Sequence, residues 1–208
     1  MKVLGISCSS RKGGNSEVLV SEALAAAKEM GAEVELLSVA GKNIGGCDGC
    51  EACTKTGKCK INDDMQLFYD KMLAADGIIF GTPVYFWDVS AQAKAIIDRT
   101  YALRKAKQLR GKVAGVLVVA RRAGTTHAFS TFNNFFVLQR MVSAGGSLGY
   151  TTEEEFRAER GGGGIAFGDG KGDVINDKRG IGEARALGKS VAKTIEVLQK
   201  GKAQGLIK

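Results

Sequence analysis

Several features that mark common functional classes are missing from the sequence. No apolar run approaches the length of a membrane-spanning helix, so no association with a membrane is predicted. The apolar run after Lys2 is too short for a signal peptide and soon meets Arg11 and Lys12, so a cytoplasmic protein is expected. The one histidine, His127, is predicted to lie on a loop, and no Ser/His/Asp or metal-hydrolase arrangement is present. We therefore assign no catalytic residue.

Two familiar phosphate-binding motifs are missing as well. The chain has no Gly-x-Gly-x-x-Gly fingerprint, and the first helix opens with Gly14-Asn15-Ser16 instead of the Gly-Lys-Ser/Thr of nucleoside-triphosphate loops. What is present is an apolar strand from Val3 to Ile6, a small polar loop, and an Ala-rich helix from about Glu17 to Met30. The N–H groups of such a loop and the dipole of its helix favour an anion.

The side chains of this loop suit a single terminal phosphate. Short donors and one fixed charge come from Ser9, Ser10, Arg11, Asn15 and Ser16. The alternative is an ordinary capped turn, because Ser and Asn are also good helix caps.

Composition is typical of a soluble globular protein, with 44% hydrophobic and 25% charged residues. A chain of 208 residues is expected to form a single domain, 1–208, with a buried core. The net charge of +8 is concentrated in residues 102–122 and 178–208. No nucleic-acid motif accompanies these stretches, so we interpret them as solvated surface or a docking face for an acidic protein.

Strand and helix patterns alternate along the chain. Strands are predicted at 34–39, 77–82 and 113–120, with a fifth at 145–150, and helices at 65–73, 90–103, 129–143 and 181–199. This pattern predicts a doubly wound α/β fold with a five-stranded parallel sheet. Its ligand is expected beyond the carboxyl ends of the strands, at loops 7–15, 83–89 and 121–127. A cysteine-rich loop, 43–62, follows the second strand, and a glycine-rich arm is expected at 151–178.

An aromatic segment follows the third strand. It consists of Pro83, Val84, Tyr85, Phe86 and Trp87, and it could line a flat ring. The alternative is that these aromatics fill a core or an interface. A ligand with one phosphate and a planar ring system fits both loops, and flavin mononucleotide (FMN) is such a ligand.

Four of the five cysteines lie within 13 residues, as Cys47-x2-Cys50-x2-Cys53-x5-Cys59. Two-residue spacers let one loop surround a cuboidal iron–sulfur cluster, as in bacterial ferredoxins. Structural zinc usually takes two separated Cys-x2-Cys pairs, and a disulfide framework is not expected in a cytoplasmic chain. Cysteines without a stable cluster remain an alternative. Cys8 is far from this run and is expected to be a small buried residue.

Three motifs together resemble the NADPH-dependent FMN reductase family of flavodoxin-like proteins. They are Ser9-x-Arg11-x-x-Gly14-Asn15-Ser16, Thr82-Pro83-Val84-Tyr85 and Gln92-x-Lys94-x-x-x-Asp98-Arg99. The resemblance extends from Lys2 to about Gly149, although Cys8 stands where the family usually has Gly. It implies that Ser9, Arg11, Asn15 and Ser16 hold the FMN phosphate, and that Pro83, Val84, Tyr85 and Phe86 face the isoalloxazine. We interpret Asp98-Arg99 as a structural ion pair.

The cysteine spacing resembles the iron–sulfur flavoproteins, a branch of the same superfamily. That resemblance implies one [4Fe-4S] cluster and one FMN per subunit, in a homo-oligomer that is a dimer or, more usually, a tetramer. The expected function is electron transfer between a ferredoxin-like one-electron donor and a two-electron acceptor. The alternatives are an NAD(P)H-dependent FMN or quinone reductase without a stable cluster, and a flavin-binding redox sensor.

Overall fold

A parallel β-sheet lies at the centre of the computed structural model, which describes residues 1–120, 123–147 and 171–207. Its parallel strands are β1 (Lys2–Ser7), β2 (Glu33–Ser38), β3 (Gly77–Tyr85), β5 (Val113–Val119) and β6 (Val142–Ser147). A short strand, β4 (Asp88–Val89), pairs antiparallel with the end of β3. The predicted parallel sheet is confirmed, but the described sheet has six strands and not five. The sequence pattern missed β4 because two residues show no periodicity.

The parallel strands lie in the spatial order β2-β1-β3-β5-β6. This order is that of flavodoxin-like folds, in which strand order reverses between the first strand and the third. The helices are α1 (Asn15–Glu29), α2 (Ala52–Thr56), α3 (Met65–Ala74), α4 (Ala91–Arg99), α5 (Tyr101–Arg104), α6 (Thr125–Leu138) and α7 (Lys178–Ala203). A 3₁₀ turn at Asp173–Asn176 precedes α7.

Neighbouring residues of the central strands enter different cores. Ile78 and Phe80 pack on the face covered by α3, α4 and α6, whereas Ile79 packs on the face covered by α1 and α7. Alternate residues of a strand point to opposite faces, so a strand buried on both sides is apolar throughout. Phe80 anchors α6 through Phe132, with ring centroids 5.1 Å apart.

Helix α1 packs unusually close to the sheet. A Cβ added at Gly5 or Gly81 would collide with the methyl groups of Val20. Only glycine therefore allows β1 and β3 to approach this helix so closely. The approach places the N-terminus of α1 beside the carboxyl ends of these two strands.

Several predicted boundaries were wrong. Helix α6 begins at Thr125 and not at Phe129, so His127 lies in its first turn and not on a loop. The polar Thr125-Thr126-His127 run hid this start, because Gly124 and not a side chain occupies the cap position. Strand β6 begins at Val142, within the segment predicted as helix. Thr100 separates α4 from α5 within the predicted helix 90–103.

Most of the predicted glycine-rich arm, residues 151–170, lies outside the described residues. Its last part holds the 3₁₀ turn and the start of α7. Across the ranges that the structure does describe, no helix is both long enough and apolar enough to cross a membrane.

Candidate functional site

Two of the predicted ligand loops meet at the carboxyl edge of the sheet. Ser7 lies opposite Gly81 in the register of β1 and β3, and the Cys8 N–H donates to the Gly81 carbonyl at 2.7 Å. Ser90, which caps the N-terminus of α4, joins the loops. Its hydroxyl donates to the Cys8 carbonyl at 2.8 Å, and its N–H donates to the Thr82 hydroxyl at 3.3 Å. The loops after β1 and β3 therefore form one connected edge.

The loop after β1 turns tightly into the N-terminus of α1. The Ser9 Oγ accepts from the Arg11 N–H at 3.2 Å, and the Gly14 N–H donates to the Arg11 carbonyl at 3.0 Å. A Cβ added at Gly14 would lie 3.0 Å from that carbonyl oxygen, so the tight turn favours glycine. Gly14 occupies the cap position just before α1 and offers the helix no capping side chain. The positive end of the α1 dipole therefore faces this loop.

The five predicted phosphate residues differ in exposure. Ser10 and Arg11 are exposed, Asn15 is half-buried, and Ser9 and Ser16 are buried. The Asn15 Oδ1 accepts from the Val174 N–H at 3.3 Å, which ties the 3₁₀ turn to the loop.

A further cation reaches this loop from a distant part of the chain. The Lys171 Cε would lie 3.5 Å from a Cβ built on Gly13. Lys171 was missed at the sequence level because it lies in the predicted glycine-rich arm, with no motif around it. A lysine beside a helix N-terminus adds charge that attracts a phosphate.

The aromatic segment forms a tight hairpin. Tyr85 pairs with Asp88, and the turn between them holds Phe86 at φ +47 and Trp87 at φ +68. Two-residue turns of this kind usually contain Asn or Gly, because other residues are strained at positive φ. Phe86 is fully exposed and Trp87 is 62% exposed. The structure therefore contradicts the alternative that these two aromatics fill a core.

Helix α6 holds the hairpin in place. The Trp87 and His127 rings meet edge to face, with centroids 6.1 Å apart. The Thr131 hydroxyl donates to Asp88 Oδ1 at 2.8 Å. A Cβ at Gly124 would lie 2.6 Å from the Trp87 Cα, so glycine is required there. The described part of the third predicted loop, which excludes residues 121 and 122, thus lies beside the hairpin.

The four clustered cysteines line one cavity of about 210 Å³. Cys47 and Cys50 are exposed, whereas Cys53 and Cys59 are half-buried and pack against the core. Within the described ranges, no three His, Cys, Asp or Glu side chains converge on a point that could hold a metal ion. Four thiols around one cavity are the kind of donor set that a cubane cluster takes, so the residues present fit such a cluster.

Cys8 does not belong to this cavity. Its side chain is fully buried, with Sγ 4.0 Å from the Ile6 carbonyl oxygen. Burial raises the pKa of the Cys8 thiol, so it stays protonated and inert.

Arg99 closes the base of the cysteine loop. Its Nη1 donates to the Gly45 carbonyl at 3.0 Å, and its Nη2 donates to the Ile61 carbonyl at 3.3 Å. Both nitrogens also donate to the Asp63 carboxylate, at 2.8 and 2.9 Å. These hydrogen bonds lower the pKa of Asp63 and raise the pKa of Arg99.

The ion pair predicted for Asp98-Arg99 is not formed between these two residues. Asp98 pairs with Lys94 at 2.6 Å, and Arg99 pairs with Asp63. Neighbouring residues on a helix point in different directions, whereas residues four apart share a face.

Positive charge surrounds the exposed side of the cysteine loop. We call this the basic rim, and its exposed residues are Lys55, Lys58, Lys60, Arg104 and Lys105. Lys105 Nζ donates to the Thr54 carbonyl, which joins α5 to the loop. Hydrogen bonds from the Cys50 side chain and from the Cys50 N–H, together with Lys60, lower the pKa of Asp48 to about 2.

The second basic stretch lies elsewhere. Helix α7 packs with α1 on the opposite face of the sheet. Several of its cations form ion pairs, including Arg185 with Glu22 and Lys200 with Glu196. The basic charge beside the cysteines therefore comes from the first stretch and from the loop itself.

A larger cavity of about 490 Å³ lies between α4 and α6. Cys47, Tyr101 and Leu138 are among its lining residues, and no predicted phosphate or hairpin residue lines it. Tyr101 also lines the cysteine cavity, so the two spaces are neighbours.

Comparisons with known proteins agree with this architecture. The family model of NADPH-dependent FMN reductases matches residues 1–154. An iron–sulfur flavoprotein of Methanocaldococcus jannaschii is 43% identical over 202 residues, which are 96% of this chain and 100% of that protein. An iron–sulfur flavoprotein of Methanosarcina thermophila is 32% identical over 205 residues, 97% of this chain and 99% of that protein.

A solved structure supports the fold. A WrbA-like flavodoxin from Agrobacterium tumefaciens has a TM-score of 0.60 and 15% identity, over 94% of this chain and 97% of that protein. The chain belongs to the NADPH-dependent FMN reductase family, and it is a flavin-dependent oxidoreductase.

Proposed function

We propose that this oxidoreductase binds FMN and a [4Fe-4S] cluster in a single domain, and that it passes electrons from a ferredoxin-like donor to a two-electron acceptor. The observation that carries the proposal is the cavity lined by all four clustered cysteines. When bound, the two cofactors would supply exchange between one-electron and two-electron carriers.

The chain's residues have distinct roles in this proposal. Arg11, the hydroxyls of Ser9, Ser10 and Ser16, and the N-terminus of α1 bind the phosphate. Asn15 contributes to the same loop and fixes the 3₁₀ turn through its Oδ1.

The hairpin covers the planar ring. Pro83 and Val84 set its base, and the exposed rings of Tyr85, Phe86 and Trp87 offer flat apolar surface. His127 holds Trp87 through the edge-to-face contact.

Cys47, Cys50, Cys53 and Cys59 are the proposed ligands of the cluster. The basic rim beside them suits an acidic protein donor, because complementary charge speeds association and orients the partner.

We also propose that the protein is a homo-oligomer, a dimer or a tetramer. Phe86, Trp87, Val137 and Leu138 are all exposed apolar side chains on the hairpin and α6. Exposed apolar surface of this kind is typical of an interface.

Cofactor analysis of anaerobically purified protein tests the main proposal. We expect about four iron atoms per chain, as one cubane contains, together with about one FMN. Zinc in place of iron, or flavin without any metal, would contradict the cluster.

A second candidate is an NAD(P)H-dependent FMN or quinone reductase without a stable cluster. The exposure of Cys47 and Cys50 favours it, because exposed thiolates leave a cluster open to oxidants. Anaerobically purified protein that contains flavin but no iron, and whose flavin is reduced by NAD(P)H, would support this candidate.

A further inference from the structure

Arg99 occupies an unusual position for a charged residue. Its side chain is fully buried, yet it also lines the cavity of the four cysteines. A buried cation is costly unless it is paired and hydrogen-bonded, so its contacts indicate what it does.

Four contacts of Arg99 close the cysteine loop. Gly45 lies near the start of the 43–62 loop and Ile61 lies near its end, and the Arg99 terminal nitrogens donate to both carbonyls. Asp63 completes the clamp, because its carboxylate binds the guanidinium and also accepts from the Gly45 N–H at 3.0 Å. The two ends of the loop are thus held together without any metal.

One donor of Arg99 is left over. The Nε–H is buried and has no hydrogen-bond partner among the described residues. Arg99 and Cys59 line the same cavity, so the unused donor belongs to a residue beside the sulfur atoms. A sulfur acceptor in the cysteine cavity would satisfy the unused donor.

We propose that Arg99 is a positioning residue for the cluster, which clamps the cysteine loop with its terminal nitrogens and directs its Nε–H and charge at the sulfur ligands. The charge effect rests on the proposed cluster, whereas the clamp does not. A nearby cation stabilises the more negative, reduced state of a cluster, so it raises the reduction potential. Asp63 partly cancels this charge, because it pairs with the same guanidinium.

Substitutions of the two clamp residues, Arg99 and Asp63, should therefore change the reduction potential of the cluster in opposite directions. In Arg99→Gln the potential of the cluster that remains should become more negative. In Asp63→Asn the Arg99 charge is uncompensated, so the potential should become more positive. If Arg99 and Asp63 only held the loop in place, both variants would disturb the loop alike, and the potential would shift in the same direction in both. The Arg99→Lys variant keeps the positive charge but loses the several donors of the guanidinium. The potential of its cluster should therefore lie between those of Arg99→Gln and wild type.

A potentiometric titration followed by electron paramagnetic resonance measures this effect on the iron-loaded fraction. Lys94→Gln is the matched control, because Lys94 is a cation on the same helix whose pair with Asp98 is exposed to solvent. Its potential should equal that of wild type. Shifts of the same sign in Arg99→Gln and Asp63→Asn, or no shift in either, would overturn the charge effect.

Limited trypsin digestion of iron-free protein tests the clamp separately. Lys55, Lys58 and Lys60 are exposed cleavage sites within the loop. Cleavage there should be at least about tenfold faster in Arg99→Gln and Asp63→Asn, since it follows the population of the open loop. Wild-type cleavage rates in both variants would overturn the clamp. If wild-type protein binds no iron, the proposed cluster is wrong and the charge effect falls with it, while the digestion still decides the clamp.

Discussion

Trp87 and His127 meet edge to face, with ring centroids 6.1 Å apart and planes at 82°. The contact joins the hairpin after β3 to the first turn of α6, and it explains how a strained turn is held at one orientation. Phe86 and Trp87 are both at positive φ and both exposed, so the hairpin presents its aromatic rings at the sheet edge.

Relief of the strain in the hairpin is predicted to increase the stability of the protein and to weaken flavin binding. Glycine adopts positive φ at little cost, so Phe86→Gly should stabilise the flavin-free protein by about 1 kcal/mol. For a domain of this size that raises the melting temperature by about 2–4 °C. FMN affinity should fall, because the exposed ring is lost. Tyr85→Gly, within β3, is the control and should lower the melting temperature.

The phosphate loop predicts a ligand-selective effect of Arg11. Arg11→Ala should weaken FMN binding by about 1.5 kcal/mol, or roughly tenfold, as expected for the loss of a charged hydrogen bond. Riboflavin has no phosphate, so its affinity should change little. Lys171→Ala should show the same selectivity with a smaller loss. Fluorescence titrations with both flavins measure these changes, and equal losses for the two ligands would place the phosphate elsewhere.

The cysteine cavity predicts which thiols hold iron. Cys50→Ser should lower the iron content of anaerobically purified protein, because it removes one proposed ligand. Cys8→Ser should leave the iron content unchanged, since Cys8 is buried in the core away from the cavity. Normal iron in the Cys50 variant would exclude it as a ligand.

The proposed electron route predicts that loss of the cluster affects reduction by one electron donor and not by the other. In a Cys50→Ser variant that still binds FMN, reduced ferredoxin should no longer reduce the flavin, whereas any reduction of the flavin by NAD(P)H should remain. Rapid mixing with each donor, followed by flavin absorbance, distinguishes them. Reduction by ferredoxin at the wild-type rate would favour the reductase without a cluster.

The basic rim predicts where the donor docks. Changing both Lys58 and Arg104 to Gln should slow association with reduced ferredoxin several-fold at low salt, because electrostatic steering is lost. Added salt should reduce the difference from wild type. The matched control changes Lys193 and Lys200 on α7, and its association rate should be that of wild type.

The Arg99–Asp63 pair predicts a pH-dependent stability. Arg99 lowers the folded-state pKa of Asp63, so the charged carboxylate stabilises the fold above its unfolded pKa of about 3.9. This stability is lost as the pH falls through the lower, folded-state pKa. Asp63→Asn should therefore cost about 3 kcal/mol at pH 7, as for a broken buried pair, and progressively less below about pH 4.

Urea unfolding at neutral and acid pH measures this difference. Asp98→Asn is the control, because its pair with Lys94 is exposed and should contribute at most about 1 kcal/mol. A constant difference between wild type and the Asp63 variant across this pH range would contradict the assignment.

The sequence by itself determined the fold class and the family, and it indicated most of the residues that we propose for the two candidate sites. Continuous apolar runs such as Ile78-Ile79-Phe80 predict parallel strands, because such strands are buried on both faces. The loop after β1 and the cysteine spacing are local patterns, so no tertiary information is needed to detect them.

Only the tertiary structure decided how distant residues combine. Arg99 pairs with Asp63 and not with its neighbour Asp98, because helix geometry turns adjacent side chains apart. Lys171 reaches Gly13 only through the docking of the 3₁₀ turn on α1. Phe86 and Trp87 lie exposed in a turn at positive φ, which the sequence does not predict because such turns usually contain Asn or Gly. Local patterns determine local structure, whereas partners far apart in sequence are chosen by packing.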